Sequence, residues 1–445
     1  MKKVITYGTY DLLHFGHIRL LERAKALGDY LIVGVTADDF DKARGKINTK
    51  QNVIERIEAV RNTGLADEII IEEYAGQKID DIKKYNIDIF AIGSDWQGKF
   101  DYLKEYCQVI YLDRTIGISS TELRSDDDIR MGFVGDNNVL NKFYNEAQFI
   151  NGIKRVGVYA TNKKFLMNKL NDANFYDDFD ALLNDCDALY VLGTAKEHYE
   201  MVKKCLKLNK HVLVEAPITT DIDEYNELVN LAESNKVILM DSIKTAYATA
   251  YHRLLLLIKG GIIGKVVSVD VTCTSMTQTS DKKISNESWT SILKWGPVAM
   301  LPVFDILGTK YIEKKIVTSY FEKNIKSDMY SNIIFEYPNA TANIKVGKGI
   351  KSESSLIISG TKGCIVVGSP WWKTDYFEIH YENINDNKKF FYQLDGEGIR
   401  NELLQFVNNI KNDNIITYID SNVSKSIIKV IQDYLNDIDV KEILI

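Results

Sequence analysis

The chain has 445 residues, of which 45% are hydrophobic and 26% charged, and its net charge at pH 7 is −7. This balance excludes a disordered or fibrous protein, and the length predicts about three folding units. The negative net charge argues against nucleic acid or an anionic membrane as a partner. Five scattered cysteines without a C-x-x-C pair indicate neither a disulfide framework nor a zinc site. Because neither a signal-peptide pattern nor a membrane-length apolar run is present, we expect a cytoplasmic protein.

Strand-like apolar runs alternate with helical patterns over residues 1–125, which we predict to be the first domain. A helix is predicted at Ile18–Leu27, and strands are predicted at Lys2–Gly8, Tyr30–Thr36, Glu68–Glu72, Ile87–Ile92 and Val109–Leu112. Such alternation predicts a small parallel α/β sheet with helices on its faces.

A charged break at residues 124–128 precedes a second series of strands. These strands are predicted at Ile129–Gly135, Lys154–Ala160, Ala188–Gly193, His211–Glu215 and Val237–Asp241. They predict a doubly wound, Rossmann-type domain over residues 129–245. Longer alternating runs from Val266 onward predict an α+β domain with an antiparallel sheet over residues 246–445, which serves substrate binding or dimerisation and is closed by helices at Glu402–Ile410 and Ser424–Leu435.

The segment Gly8–His17 (GTYDLLHFGH) lies where the first strand turns into a helix. Gly8 permits a tight turn, and the start of the following helix offers free N–H groups to a phosphate. His14 and His17 are three residues apart and can point together at a triphosphate, although they can also be ordinary polar residues at a helix entry. A second polar cluster, Arg114–Thr121 (RTIGISST), predicts either another phosphate-binding loop or simply a capped helix start.

The two motifs G-T-Y-D-x-x-H-x-G-H and R-T-x-G-I-S-S-T, together with Gly93–Phe100 (GSDWQGKF), resemble the signatures of the glycerol-3-phosphate cytidylyltransferases. That family belongs to the HxGH nucleotidyltransferases, which have a Rossmann-like fold. The resemblance covers residues 1 to about 125. It implies transfer of a cytidylyl group from CTP, bound with Mg²⁺, to a polyol phosphate, with glycerol 3-phosphate as the first candidate. The product would serve a surface glycan such as teichoic acid or capsule.

The resemblance also implies roles for individual residues, but no metal held by the protein itself. Catalysis falls to His14, His17, Lys46 and Arg114, and the polyol-phosphate contact falls to Arg56 and Lys78. The nucleotide would be bound by Gly8, Thr9, Tyr10, Asp11, Gly16, Asp95, Trp96, Gly117, Ile118, Ser119, Ser120 and Thr121. A second family arginine, eight residues after Arg56, is replaced here by Gly64.

The segment Gly132–Asn138 (GFVGDNN) is similar to the first turn of a dinucleotide-binding fold, but its glycine pattern is incomplete. If Gly135 is the first glycine, Asn137 occupies the place of the second. After the next strand come Thr161 and Lys163, with no carboxylate to bind a ribose 2′-hydroxyl. This composition favours NADP(H) over NAD(H).

The pattern Thr194–His198 and the run Lys210–Pro217 (KHVLVEAP) resemble the glucose–fructose oxidoreductase/inositol dehydrogenase family over residues 129–440. The resemblance implies a homodimer or higher homo-oligomer and a cofactor site at Gly135, Asn137, Thr161, Lys163, Thr194 and Glu215. Two departures weaken the expected hydride chemistry: Ala216 replaces a family lysine, and no histidine lies in Gly296–Asp305. We expect the remaining histidines, His198, His211, His252 and His380, to be structural.

Two interpretations of the second region therefore remain open. It is either an NADP(H)-dependent oxidoreductase that makes or modifies the polyol phosphate, with tethering raising the local concentration of a shared intermediate, or a non-catalytic scaffold. The sequence alone does not separate them.

Overall fold

The computed structural model describes residues 1–11, 13, 15–38, 51–74, 76–113, 128–161, 163–276, 290–392, 394–411 and 418–444. The chain forms two compact units. The amino unit comprises residues 1–128 and 148–154, and the carboxy unit comprises residues 129–147 and 155–445.

The amino unit contains a five-stranded parallel sheet in the order β3-β2-β1-β4-β5. Its strands are β1 Lys3–Gly8, β2 Tyr30–Thr36, β3 Glu68–Glu72, β4 Ile89–Gly93 and β5 Gln108–Leu112. Its helices are α1 Phe15–Lys25, α2 Val53–Arg61 and α3 Gln77–Tyr85. Both faces of the central strands are buried, because consecutive residues such as Val4 and Ile5 are fully covered. The predicted parallel α/β sheet is confirmed.

The first sheet of the carboxy unit has six strands in the order β11-β10-β9-β6-β7-β8. The strands are β6 Ile129–Val134, β7 Ile153–Tyr159, β8 Phe175–Tyr176, β9 Ala188–Val191, β10 His211–Glu215 and β11 Leu239–Ser242. The helices between them are α4 Asn138–Ala147, α5 Lys163–Met167, α6 Phe179–Asp185, α7 Ala195–Lys207 and α8 Ile222–Asn235. The order is that of a doubly wound dinucleotide-binding fold, as the sequence predicts.

The second sheet of the carboxy unit has nine strands in the order β19-β18-β17-β16-β12-β15-β14-β13-β20. The strands are β12 Val266–Thr274, β13 Glu313–Glu322, β14 Ser327–Glu336, β15 Thr341–Gly347, β16 Leu356–Gly360, β17 Cys364–Val367, β18 Tyr376–His380, β19 Lys388–Phe391 and β20 Val440–Glu442. The associated helices are α9 Thr249–Lys259, α10 Ser291–Leu307, α11 Ile399–Lys411 and α12 Ser421–Leu435.

This sheet is mixed rather than wholly antiparallel. The sequence-based expectation holds for its hairpin pairings, but β12 pairs with β15 and β13 pairs with β20 in parallel. The reason for the first is that the chain leaves β12 and returns to the sheet only after α10, at β13, which is separated from β12 by β14 and β15. The parallel pairing of β13 with β20 arises because β20 follows α12 and adds to the sheet beside β13.

Among the residues that the structure describes, no helix is both long enough and apolar enough to span a membrane. The predicted domain boundaries after residue 125 and between residues 245 and 246 stay predictions. Most of the charged break at residues 124–128 lies outside the described part of the chain.

Candidate functional sites

The first candidate site lies at the carboxyl ends of β1 and β4. These two strands are parallel neighbours, with Ile5 opposite Phe90, so that Gly8 and Gly93 end the strands at the same level. Between β1 and β4 the strand order reverses, and ligands of open parallel sheets bind in the crevice at such a point. The loops that begin at Thr9 and Ser94 are therefore placed to border one ligand.

The loop after β1 holds His17 through the aromatic ring of Tyr10. Tyr10 is almost fully buried, has a φ of 55°, and packs edge-on against His17 with ring centroids 5.5 Å apart. A Cβ at residue 8 would lie 2.9 Å from the Tyr10 ring, so only glycine fits beneath it. Burial raises the pKa of Tyr10 and keeps its hydroxyl neutral. The sequence GTY thus fixes the position of the imidazole in the first turn of α1.

Arg56 of α2 anchors the same loop from the other side. Its guanidinium is fully buried and donates to the Thr9 carbonyl at 2.6 Å, to the Gln51 carbonyl at 3.1 Å and to the Asp38 carboxylate at 2.5 Å. The buried Asp11 carboxylate accepts a hydrogen bond from the Gln51 backbone N–H at 3.1 Å. The β1 loop is therefore fixed to the segment that begins at residue 51.

Lys78 of α3 lies in a buried polar cluster at the carboxyl ends of β1, β2 and β3. It forms an ion pair with Glu72, and its ammonium lies 4.4 Å from the centroid of the Tyr7 ring. The hydroxyl of Thr36 donates to Glu72 at 3.1 Å, and the hydroxyl of Tyr7 donates to Asp81 at 2.8 Å. Lys78 is therefore largely buried and already paired with a carboxylate.

Asp95 and Trp96 begin the loop that follows β4, in a short 3₁₀ turn at Ser94–Trp96. Asp95 is exposed, while the Trp96 ring packs 5.8 Å from Phe100 and carries the ammonium of Lys99 at 5.0 Å. The turn is thus fixed by aromatic packing, and it presents a carboxylate at the rim of the crevice.

A second candidate site is a pocket of about 320 Å³ in the carboxy unit, at the carboxyl ends of β6, β7 and β9. Its wall includes Gly135, Asn137, Thr161 and Thr194, so the structure brings these four predicted residues together. Gly135 has a φ of 147°, and a Cβ there would lie 2.7 Å from the Leu192 carbonyl. The turn therefore packs closely against the backbone that directly follows β9.

Polar contacts shape the rim of this pocket. The Asn137 side chain accepts from the Val139 N–H at 2.7 Å at the start of α4, and Thr194 caps α7 in a reciprocal pair with Glu197. The Thr161 hydroxyl donates to Asp136 at 2.5 Å. A dinucleotide fits this pocket. The pocket is open, Gly135 allows close approach of the backbone, and the N-terminus of α4 lies where the strand order reverses between β6 and β9.

Comparisons with known proteins separate the two regions. A model of cytidylyltransferase-like proteins matches residues 5–126, and a model of the oxidoreductase family with an NAD-binding Rossmann fold matches residues 129–242. Glycerol-3-phosphate cytidylyltransferase of Bacillus spizizenii is 55% identical over 126 residues, which cover 28% of this chain and 97% of that protein. The enzyme of the same name from Staphylococcus aureus is 48% identical over 28% of this chain and 95% of its own length. Through this region, the chain belongs to the glycerol-3-phosphate cytidylyltransferase family.

Solved structures match the rest of this cytidylyltransferase-family chain. A 3-ketoreductase from Actinomadura kijaniata has a TM-score of 0.62 at 16% identity, covering 71% of this chain and 99% of its own. UDP-N-acetylglucosamine 3-dehydrogenase from Acidithiobacillus ferrooxidans has a TM-score of 0.59 at 13% identity, covering 70% and 98% respectively. At such identity the likeness establishes the oxidoreductase fold of the carboxy unit alone.

Several residues that the cytidylyltransferase resemblance implies cannot be placed. His14, Lys46 and Arg114 lie outside the described residues, as do Gly117, Ile118, Ser119, Ser120 and Thr121. The site roles of the others, including Gly16 at the start of α1, stay predictions. For Arg56 the structure shows contacts to the protein's own loop.

Two predicted cofactor residues of the cytidylyltransferase-family chain do not line the pocket. Lys163 forms an ion pair with the exposed Asp177, so the cation expected to favour a 2′-phosphate already has a partner. Glu215 ends β10, where it is level with Leu192 of the pocket wall, because Val214 lies opposite Val191. Its carboxylate pairs with Lys294 at 2.8 Å.

The sequence did not reveal Lys294, which supplies a cation beside the position of Ala216. Lys348 is close enough to feel the charges of Lys294 and Glu215. Burial, and to a smaller extent repulsion by Lys294, lowers the pKa of Lys348 to about 8. No local sequence pattern indicates either lysine. Lys294 lies on α10 and Lys348 directly follows β15, and only the tertiary fold brings these elements close to β10. His198 donates its Nδ1 proton to the Pro217 carbonyl at 3.1 Å, and burial lowers its pKa.

Proposed function

We propose that the amino unit transfers the cytidylyl group from CTP to glycerol 3-phosphate, giving CDP-glycerol and pyrophosphate. The observation that carries this proposal is the 55% identity over 126 residues to a glycerol-3-phosphate cytidylyltransferase. The match to the cytidylyltransferase-like model covers residues 5–126, which include His17. The product would supply a surface glycan such as teichoic acid or capsule. We infer a cytoplasmic location, where CTP is available.

The chemistry requires no general base. A phosphate monoester has a second pKa of about 6 and is therefore largely a dianion at pH 7. One of its oxygens bonds to the α-phosphorus of CTP, and the bond from that phosphorus to the bridging oxygen of pyrophosphate breaks. The protein must reduce repulsion between two anions and place donors around the transferring phosphorus.

The described residues suit this demand. His17 and the backbone N–H groups at the start of α1 would face the α-phosphate, and Mg²⁺ would enter as part of the Mg–CTP substrate. Lys78 would attract the polyol phosphate, with Glu72 fixing its ammonium. Arg56 would act on the site by fixing Thr9. Asp95 and Trp96 would meet the cytosine from the loop after β4.

A pyrophosphate-release assay tests the proposal and identifies the acceptor. The intact chain is incubated with Mg–CTP and, in separate reactions, sn-glycerol 3-phosphate, ribitol 5-phosphate and other polyol phosphates. We expect release with glycerol 3-phosphate to exceed the others, and Mg–ATP in place of Mg–CTP to give little. Absence of release with every acceptor would refute the proposal.

A second candidate function, dinucleotide binding by the carboxy unit, rests on the pocket at Gly135 and on the match to an NAD-binding Rossmann model. There, reduced nicotinamide would supply hydride, while Glu215 with Lys294 would orient the substrate oxygen and Lys348 would hold or release a proton. The carboxy unit would form a homo-oligomer through its nine-stranded sheet whether that unit is an active oxidoreductase or a scaffold.

Fluorescence titration with NADPH and NADH measures this binding. We expect NADPH to bind more tightly than NADH, because no carboxylate directly follows β7 in the sequence to bind a ribose 2′-hydroxyl. We expect Gly135→Val to abolish binding, because a Cβ there meets the Leu192 carbonyl at 2.7 Å. Gly368→Val is the matched control, since nothing lies within 4 Å of a Cβ at that residue. If neither dinucleotide binds, the scaffold interpretation holds instead.

A further inference from the structure

The carboxy unit contains a cluster of three lysines around one carboxylate, which we call the lysine cage: Lys142, Lys244, Lys373 and Glu397. The Glu397 carboxylate lies 3.0 Å from the ammonium of Lys142, 2.9 Å from that of Lys244 and 2.7 Å from that of Lys373. The lysines come from α4, from the segment after β11 and from the segment after β17, while Glu397 precedes α11. Four distant parts of the chain therefore meet at one carboxylate.

The cage has more positive than negative charge. Among the described side chains, Glu397 is the only carboxylate paired with any of the three lysines. Burial opposes ionisation of Glu397, but the lysines outweigh it and bring its pKa to about 2. Burial, together with repulsion from Lys142 and Lys373, lowers the pKa of Lys244. A single carboxylate thus compensates the three ammonium groups only partly.

The backbone that presents Glu397 adopts an uncommon conformation. Gly396, Glu397 and Gly398 have φ values of 58°, 56° and 87°. For Glu397, which has a Cβ, this left-handed conformation is unfavourable and persists only where surrounding contacts hold it. The neighbouring pair Arg400–Glu146, at 2.5 Å, supplies such a contact, because Glu146 packs directly against Gly396.

The cage is also open to solvent. The side chains of Lys142, Lys244 and Lys373 are 42%, 26% and 38% exposed, and that of Glu397 is 31% exposed. A small anion can therefore reach the ammonium groups without unfolding the unit. A phosphate dianion carries twice the charge of the carboxylate and has more acceptor oxygens, so three converging ammonium groups suit it better.

We propose that the lysine cage is a binding site for a dianionic phosphate group, in which Glu397 takes the place of the ligand when none is bound. The phosphate group is that of inorganic phosphate or of a small phosphate monoester. Binding displaces the carboxylate to solvent and relieves the left-handed backbone at Glu397. None of the four cage residues lines the dinucleotide pocket, and the proposal does not depend on either function proposed above.

Calorimetric titration of the intact chain with inorganic phosphate, at constant ionic strength set with chloride, tests the proposal. Glu397→Gln removes the competing charge, so we expect its dissociation constant to fall about ten-fold relative to the unmodified chain. We expect Lys373→Met to raise it about ten-fold, because one of three cations is lost. Lys388→Met, an exposed lysine of β19, serves as the matched control and should leave binding unchanged.

Hydrogen–deuterium exchange locates the binding, because phosphate can also enter the nucleotide site of the amino unit. Ligand-dependent protection in residues 394–411 supports the cage.

A parallel titration with sn-glycerol 3-phosphate shows which phosphate compound the cage binds. Tighter binding than that of inorganic phosphate indicates a phosphate monoester, and equal or weaker binding indicates free phosphate. If both cage variants bind phosphate as the unmodified chain does, or if protection is confined to residues 1–128, the cage only ties the fold together and the proposal is wrong.

Discussion

Replacing His17 by alanine is expected to lower the turnover rate for pyrophosphate release by about 10²–10³-fold, the usual cost of losing one donor to a developing negative charge. The imidazole is held against the buried Tyr10 ring with centroids 5.5 Å apart, and alanine leaves no donor at that position. Because the interaction strengthens as pyrophosphate leaves, the loss should fall on kcat more than on the KM for CTP.

The control for this variant is His380→Ala, which removes a histidine of β18 in the carboxy unit that pairs with Glu378. It should leave pyrophosphate release unchanged. Steady-state rates at saturating CTP and glycerol 3-phosphate measure both variants. If His17→Ala keeps a rate within a factor of about three of the unmodified chain, His17 is not part of the reaction centre.

Replacing Arg56 by methionine is expected to destabilise the amino unit by about 2–5 kcal/mol, because each buried acceptor left without its donor costs about 1–3 kcal/mol and the part-exposed Asp38 carboxylate costs least. The substitution removes donors from two backbone carbonyls, Thr9 and Gln51, and from the Asp38 carboxylate. The β1 loop then loses the direct hydrogen bond between the Thr9 carbonyl and α2. Hydrogen–deuterium exchange of the amides in β1 and α2 measures the change without requiring a single unfolding transition for the whole chain.

Arg61→Met is the matched control, because Arg61 lies on the same helix and its side chain is 58% exposed in an ion pair with Glu58. Its loss should cost well under about 1 kcal/mol. Arg56→Lys keeps the charge but lacks the guanidinium fork, so we expect intermediate protection. Normal protection in Arg56→Met combined with a raised KM for glycerol 3-phosphate would instead establish the direct substrate contact that the resemblance implies.

Strand positions were predictable where a short continuous apolar run marks the strand. β2, β3 and β10 begin and end at the residues that the sequence predicts. β8 and β20 have two and three residues and carry no such pattern, because they extend sheets whose cores are already closed. The parallel pairing of β12 with β15 likewise depends on the path of the chain through α10 rather than on local sequence.

Packing within the first candidate site was predictable where a motif is contiguous. Gly8, Tyr10 and His17 lie within ten residues of one another, and Tyr10 packs against both of the others. Arg56 and the Thr9 carbonyl are 47 residues apart, and Glu397 lies 255 residues from Lys142. Neither contact follows from spacing, because both are made by the tertiary fold. The cation beside Glu215 was missed for the same reason: Lys294 lies on a helix of the following sheet domain.

The fate of isotopically labelled phosphate tests the central claim most directly. The intact chain is incubated with sn-glycerol 3-phosphate and Mg–CTP labelled either at the α- or at the γ-phosphate, and the products are separated. We predict that all of the α label reaches CDP-glycerol and all of the γ label reaches pyrophosphate. Label from the γ-phosphate in glycerol-containing product, or in free orthophosphate from the outset, would show that another bond is broken and would contradict the account.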